Sequence, residues 1–383
     1  MIRALYGALG VAVLVACSSR NKDVREGDGG VATTAGVSSV ATKASADPAA
    51  APAKPGMLWI PAGTLRAGTP ADKVPRVPDE ELAGVPIELN GFYIDQHPWP
   101  NEPGAIPTTN VTRDEAEALC SSKGKRLCTE LEWERACKGP ENTTYEYGDA
   151  YRSATCGTGQ TPEVAARRPA GESTQCKSGF GVSDMHGIVA EWTSSSWGRG
   201  AKDPQLGVLR GGNATVGELA GRCSNGLARS PSKKSPTMGL RCCAGTKNTA
   251  EVKLTLENSP GLSMAGSDTT SPWASELATV ISSEVDPKTL RGQRWIPVAN
   301  EELFVVQGCG TGGAKSCAVL VGRVRNGKRY VTANVLIGRE PGDIAKGSDA
   351  KHLKLRALDV KGLYSREIAY VYGKVEVGDL KRP

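Results

Sequence analysis

Histidine, phenylalanine and long apolar runs are scarce in this chain. Its 383 residues include three His and three Phe, and aromatics make up only 5%. Centres that need several imidazoles are therefore out of reach, since His97, His186 and His352 share no metal-ligand spacing. No run approaches the roughly 20 apolar residues of a membrane-spanning helix. Net charge is a mild +6 with no concentrated basic stripe, which argues against a dedicated nucleic-acid binder. The Gly-rich segment Gly310-Thr311-Gly312-Gly313-Ala314 lacks the Gly-Lys-Ser/Thr end of a phosphate-binding loop.

Glycine, proline, tryptophan and cysteine are plentiful. With 46 Gly, 24 Pro and seven Trp, the chain suits a loop-rich fold in which a few indoles anchor irregular backbone. Its length allows two domains. Arg3 precedes an apolar run, Ala4 to Ala16, that ends in Leu14-Val15-Ala16-Cys17. That is the pattern of a signal peptide over residues 1–16, and the small residues before the cysteine resemble a bacterial lipobox. The resemblance implies lipidation of Cys17 and a membrane-anchored envelope lipoprotein, with the outer membrane favoured because Ser18 follows. Residues 17–55, rich in Ala, Ser, Thr and Gly, read as a disordered tether. Setting Cys17 apart from eleven cysteines leaves ten, an even number that fits disulfides in an oxidising compartment.

Strands are expected at Met57-Leu58-Trp59-Ile60 and Phe92-Tyr93-Ile94-Asp95. Thr112 with Glu115 and Thr129 with Glu132 have capping-box spacing, which predicts two helices; Leu131, Trp133 and Ala136 are the expected buried residues of the second. Further on, 303–307, 317–325, 329–337, 353–360 and 367–377 read as strands, with Arg325-Asn326-Gly327-Lys328 as a type I′ hairpin turn. Arg323, Arg325, Lys328 and Arg329 cluster there, offering either an anionic-surface contact or a solvated edge. Residues 247–287 read as a linker and 288–383 as a small β-rich domain.

Between the two halves of the first domain runs Gly179-Phe180-Gly181-Val182-Ser183-Asp184-Met185-His186-Gly187-Ile188-Val189-Ala190-Glu191-Trp192. Its glycines permit turns, and Asp184 and Glu191 are hard oxygen ligands of the kind calcium accepts; a packed turn around a tryptophan is the plainer alternative. This stretch, Gly124-Lys125-Arg126-Leu127-Cys128-Thr129-Glu130-Leu131-Glu132-Trp133, Val208-Leu209-Arg210-Gly211-Gly212 and Gly239-Leu240-Arg241-Cys242 occur in the order of blocks that resemble the formylglycine-generating enzyme, or sulfatase-modifying factor, family.

The resemblance covers residues 56–246. It implies an α+β fold, a loop-rich, disulfide-braced variant of the C-type lectin arrangement. It also implies a structural calcium held by Asp184, the carbonyls of Gly187 and Val189, and Glu191. The family's copper-binding cysteines fall on Val216 and Gly221, neither of which forms a thiolate. No catalytic residue is therefore assigned, and neither copper nor iron is expected. The family disulfides imply Cys120–Cys242 and Cys137–Cys223. Cys156 and Cys176 are near enough in sequence to brace the intervening loop, Cys128 and Cys243 remain as a pair, and Cys309 and Cys317 flank the Gly-rich segment; sequence alone leaves these connectivities open. The functional expectation is a non-catalytic binding or scaffold protein with an envelope-protein partner. The alternatives are an oxidoreductase or other enzyme with altered chemistry in a cleft near Arg210, Asn213 and Arg229, or a glycan-binding module.

Overall fold

Thr112 and Thr129 each close a capping box, accepting from the N3 amide while the N3 glutamate accepts from the cap amide. They start the helices Arg113–Ser121 and Glu130–Lys138. The computed structural model describes residues 52–199, 205–264, 270–311 and 316–383. Cys17, the leader 1–16 and nearly all of the segment 17–55 lie outside the described residues.

Three small sheets surround the two helices. Met57–Ile60, Phe92–Asp95, Cys242–Ala244 and Arg126–Leu127 form one, entirely antiparallel, in that order. Gly226–Arg229, Gly207–Gly211, Ala190–Ser196 and Met238–Leu240 form the second, whose last pair is parallel. Gly63–Gly68 and Ala83–Leu89 make a hairpin. The result is a mixed α/β, disulfide-rich fold. Four bridges stand in it, Cys120–Cys242, Cys128–Cys243, Cys137–Cys223 and Cys156–Cys176, and a further one, Cys309–Cys317, joins two strands of the distal half. Two of them join the adjacent residues Cys242 and Cys243 to opposite sides of the strand they sit on, so one short strand is stapled to both the first helix and the start of the second.

Helix Glu130–Lys138 departs from the expected amphipathic pattern. All nine residues are buried, not only Leu131, Trp133 and Ala136. Its charges are absorbed by an ion ladder: Arg199 meets Glu130 at 2.8 Å, Arg210 meets Glu130 at 2.9 Å and Glu134 at 3.1 Å, and Lys138 meets Glu134 at 2.9 Å. Burial alone would raise the Glu134 carboxyl, but Lys138 and Arg210 carry it below its ordinary value. Glu132 has its own partners in Arg126, at 2.8 Å, and Asn248.

The distal half is a sandwich of two antiparallel sheets. One runs Gly261–Met264, Arg291–Ile296, Leu303–Cys309, Cys317–Arg325, Lys328–Gly338; the other runs Asp343–Lys346, His352–Asp359, Gly362–Val371, Lys374–Val377. Their shared core includes Trp295, Leu303, Val319, Leu355, Tyr364 and Ile368. Helix Ala274–Ile281 covers the other face of the first sheet, with Trp273 and Leu277 against Val306, Ala318 and Leu320. This explains why Cys317–Gly322 reads as a continuous apolar run, since both faces of that strand are buried. Asn326 and Gly327 have φ of 51° and 72°, as a type I′ turn requires.

Two expectations are corrected here. Residues 247–287 are not a plain linker: Gly261–Met264 pairs with Arg291–Ile296, and the helix over 274–281 seals the sheet. Residues 367–377 form parts of two strands, because Tyr372 and Gly373 turn the chain at φ of 48° and 86°.

The described residues from 52 onward lie within one compact unit. Glu301, fully buried, is the polar centre of the contact between its halves. Arg76, from the loop after the first hairpin strand, approaches it at 3.8 Å, Arg323 at 3.5 Å and Arg325 at 2.8 Å. The Arg76 amide also donates to the Tyr372 carbonyl at 2.9 Å. Arg323 and Arg325 of the basic hairpin are thus spent inside the protein, while Arg329 is held at the surface by Glu276 at 2.8 Å and Lys328 stays exposed. Glu301→Gln keeps the shape but strands three guanidinium groups, so a loss of about 3–5 kcal/mol is expected in denaturant unfolding. A loss under about 0.5 kcal/mol, the scale of an ordinary surface substitution, would remove Glu301 as the keystone of this contact.

Candidate functional site

The loop from Gly179 to Trp192 turns tightly around buried carboxylates. Asp184 sits in the left-handed region at φ 56°. Gly187, at φ 84°, is required: a Cβ there would lie 1.7 Å from the Cys156 carbonyl oxygen. Asp184 Oδ2 accepts from the Gly171 amide at 2.6 Å and lies 3.5 Å from His97 Nδ1. Its Oδ1 is buried with no hydrogen-bond partner.

Glu191 is differently placed. Its Oε2 accepts from Trp133 Nε1 at 2.6 Å and from Arg241 Nε at 3.0 Å, and its Oε1 accepts from the Arg241 terminal nitrogen at 3.0 Å. The same guanidinium donates to the carbonyls of Asp95, Gln96, Ser183 and Asp184. Burial raises the Glu191 carboxyl above its usual value, and Arg241 works against that rise. Arg241 therefore supplies much of the positive charge that the sequence reading gave to a metal.

Glu146 escaped the sequence reading, although it completes the cluster. It lies outside the family-like blocks, in a Tyr-Glu-Tyr segment with no spacing cue. Its Oε2 accepts from the Met185 amide at 3.0 Å; its Oε1 lies 2.6 Å from each sulfur of the Cys156–Cys176 bridge, which has no proton to give. Burial, then the nearby Asp184 charge, push its carboxyl up to about 8. His186 stands 4.0 Å from it, and burial lowers that imidazole to about 3. At neutral pH both groups are uncharged.

The chemistry of these donors can be tested against a cation. Among the described residues, two groupings have metal-like geometry: Cys137 with Glu146 and His186, and Glu146 with Cys156 and Cys176. Every sulfur in them is in a disulfide, so neither offers a thiolate. For calcium, the unpartnered Asp184 Oδ1 fits well, because a buried carboxylate oxygen without a donor needs a positive partner. Glu191 fits less well, having most of its lone pairs already engaged.

The proposed cleft residues do not come together. Arg210 is 1% exposed and belongs to the ion ladder, while Arg229 is exposed on a strand end, donating to the Ala228 carbonyl. Asn213 lies behind the wall of an opening: its side chain accepts from the Gly159 amide at 2.8 Å and donates to the Gly157 carbonyl at 3.2 Å, and both glycines line it. That opening is a groove of about 670 Å³ lined by Tyr151, Ser153, Thr158, Gln160 and Arg168 among others. It adjoins the short helix Gly217–Ala220, where a Cβ on Gly217 would meet the Tyr151 hydroxyl at 2.1 Å. Val216 and Gly221 flank that helix, and Cys223 beyond it is bonded to Cys137. The lining is built for hydrogen bonding to a polar ligand.

The paired shifts of Glu146 and His186 set a pH profile. The folded protein keeps a proton on Glu146 that the unfolded chain releases above about 4.5, so stability falls as pH rises from there to about 8. His186 acts oppositely below its unfolded value of 6.5, where the unfolded chain takes a proton the folded one refuses. The two cancel at mildly acid pH, which leaves a net decline above about 6.5 at ~1.4 kcal/mol per pH unit. Melting curves in chelator should show this decline, and Glu146→Gln should flatten it. A wild-type curve that rises over the same range would contradict the assignment.

Residues 101–245 match the sulfatase-modifying factor enzyme 1-like domain. The bovine (Bos taurus) inactive C-alpha-formylglycine-generating enzyme 2 is 29% identical over 161 residues, which cover 37% of this chain and 50% of that protein. Hercynine oxygenase of Mycolicibacterium smegmatis is 38% identical over 101 residues, 24% of this chain and 22% of that one. The chain thus spans half or less of the length of these relatives. Among solved structures, PvdO from Pseudomonas aeruginosa aligns over 49% of this chain and 93% of its own, at 20% identity and a TM-score of 0.40. Over residues 101–245 the chain thus carries a stretch similar to the sulfatase-modifying factor enzyme 1-like domain, the domain it shares with the formylglycine-generating enzymes it resembles.

Proposed function

We propose that the protein is a non-catalytic binding or scaffold protein of the cell envelope, anchored through a lipidated Cys17. Its family domain, a C-type-lectin-like variant, presents the groove beside Val216 as a binding surface. The observation that carries this reading is the fate of the cysteines. Val216 and Gly221 occupy the positions where the resemblance puts copper-binding thiolates, and Cys223, the nearest sulfur in sequence, is bonded to Cys137. What remains at the groove is a set of neutral hydrogen-bonding groups with the Arg168–Glu172 ion pair, suited to holding an extended polar segment of an envelope protein. The purified chain given copper, oxygen and a cysteine-containing peptide is expected to consume no oxygen beyond the peptide's background. It should instead retain an envelope partner that is lost when Ser153→Trp fills the groove. Turnover of the peptide would replace this reading with the oxidoreductase one, and retention of a glycan on an array would favour the lectin-like one.

Calcium belongs to the same reading as a structural brace, with Asp184 as its free carboxylate and the carbonyls of Gly187 and Val189 as neutral ligands. Glu191 would share its carboxylate between the ion and Arg241. Calcium at 100 times its dissociation constant would add about 2.7 kcal/mol of stability by mass action. The expected result is a higher melting temperature with calcium than with chelator, abolished in Asp184→Ala. No difference, together with no calcium by elemental analysis, would leave Arg241 as the only cation of the loop.

A further inference from the structure

The hairpin of His352–Asp359 and Gly362–Val371 ends in an exposed tip, flanked among the described residues by Ser316 and the turn Gly338-Arg339-Glu340, with which Leu358 and Val360 line an open recess. Val360 is 89% exposed, and Leu358 and Leu363, which face each other across the hairpin, are each 53% exposed. Other exposed apolar side chains occur, Val164 and Leu336 among them, but Val360 is the most exposed of all among the described residues and has Leu358 and Leu363 beside it on the same turn. Successive pairs on the same face change character away from the tip. Arg356 pairs with Ser365, then Lys354 with Glu367. At about 3.3 Å per residue, Arg356 lies roughly 7 Å and Lys354 roughly 13 Å behind Leu358.

The cations there are free, unlike those of the hairpin at Arg325. A recess of about 290 Å³ is lined by Lys346, Lys354, Arg366 and Lys381, with Ser365 and Glu367. Among the described residues, none of the three lysines has an ion-pair partner. Arg366 spends one terminal nitrogen on the Gly378 carbonyl at 3.3 Å, and its Nε is buried without a partner. Lys361 stands exposed in the turn itself. Of the acids nearby, Asp359 is neutralised by Arg382 at 2.7 Å, Asp343 is in register with Arg356, Glu367 is in register with Lys354, and Glu340 lines the recess at the tip next to Arg339. The balance is positive.

We infer that this hairpin is a docking element for an anionic lipid surface: Leu358, Val360 and Leu363 enter the interface while Lys361, Arg356 and the lysines of the recess meet headgroup phosphates. The dimensions agree, since interfacial segments bury their apolar parts by ~5–10 Å, which puts Arg356 at phosphate depth. Charge selects the lipid, because each basic residue near an anionic surface adds attraction that salt weakens. The inference does not depend on lipidation of Cys17. It would fix which end of the protein faces a membrane.

Hydrogen exchange by mass spectrometry on the full chain reads the tip directly, apart from any association of the N-terminal segment. With vesicles of equal phosphatidylglycerol and phosphatidylcholine, amides over 358–363 should exchange several-fold more slowly, and with phosphatidylcholine alone they should not change. Val360→Asp should abolish the protection. Each of Lys354→Gln and Lys381→Gln should weaken binding about five-fold, from the ~1 kcal/mol each basic residue contributes. Lys253→Gln, on a remote exposed side chain, should change nothing. Unchanged tip amides on a vesicle-bound chain would overturn the inference. So would equal protection by soluble polyphosphate, which would make the recess a site for free anions.

Discussion

The buried carboxylates of helix Glu130–Lys138 constrain everything packed around them. A charge removed from water costs several kcal/mol unless it is paired and hydrogen-bonded, and three acids of this helix are at most 1% exposed. Each needs a cation brought from elsewhere in the chain. Glu130 takes Arg199 and Arg210, Glu134 takes Arg210 and Lys138, and Glu132 takes Arg126. Arg210 lies on a strand that must then run beside the helix, and Arg199 follows the strand that pairs with it. Such networks contribute less net stability than apolar packing of equal volume would, but they tolerate very few arrangements. For this loop-rich domain they act as the specification of the fold.

Disulfides add covalent ties inside the same core, where the bridged cysteines are fully buried. Cys242 and Cys243 point to opposite faces of one strand and reach two separate apolar clusters, one around Trp192 and Leu240, the other around Phe92 and Trp133. A single strand is thereby locked against both layers. Bridges that close loops of this length act mainly on the unfolded chain, by removing conformations it would otherwise sample. The ion ladder selects the native arrangement and the bridges make the alternatives fewer.

Much of this was legible in the sequence, and the parts that were not share a cause. The capping boxes at Thr112 and Thr129, the Asn326-Gly327 turn and the strand over Cys317–Arg325 are encoded by neighbouring residues, so local rules find them. The blocks around Trp133, Asp184, Arg210 and Arg241 carry the family resemblance. Long-range pairing is what local reading misses. Helix Glu130–Lys138 reads as half-exposed because its partners are scattered over more than seventy residues; Arg210 reads as a cleft residue because its burial depends on those same partners. Glu146 has no local signature at all. It is identified only when Met185, the Cys156–Cys176 bridge and Asp184 are seen to converge on it. The strand Gly261–Met264 is hidden likewise, since a polar Pro- and Ser-bearing segment gains strand character from the partner Arg291–Ile296.

The loop from Gly179 to Trp192 separates two roles that a family resemblance tends to merge. Its carboxylates are committed to holding the domain: Glu191 links Trp133 of the buried helix to Arg241, and Arg241 gathers carbonyls from two other segments. None of those contacts touches the groove beside Val216. Val216 and Gly221, beside that groove, take no part in this frame, because the contacts that build the loop are made by other residues. A domain organised in this way can lose a reaction and keep a shaped, rigid surface, which is the physical condition for reuse as a binding platform.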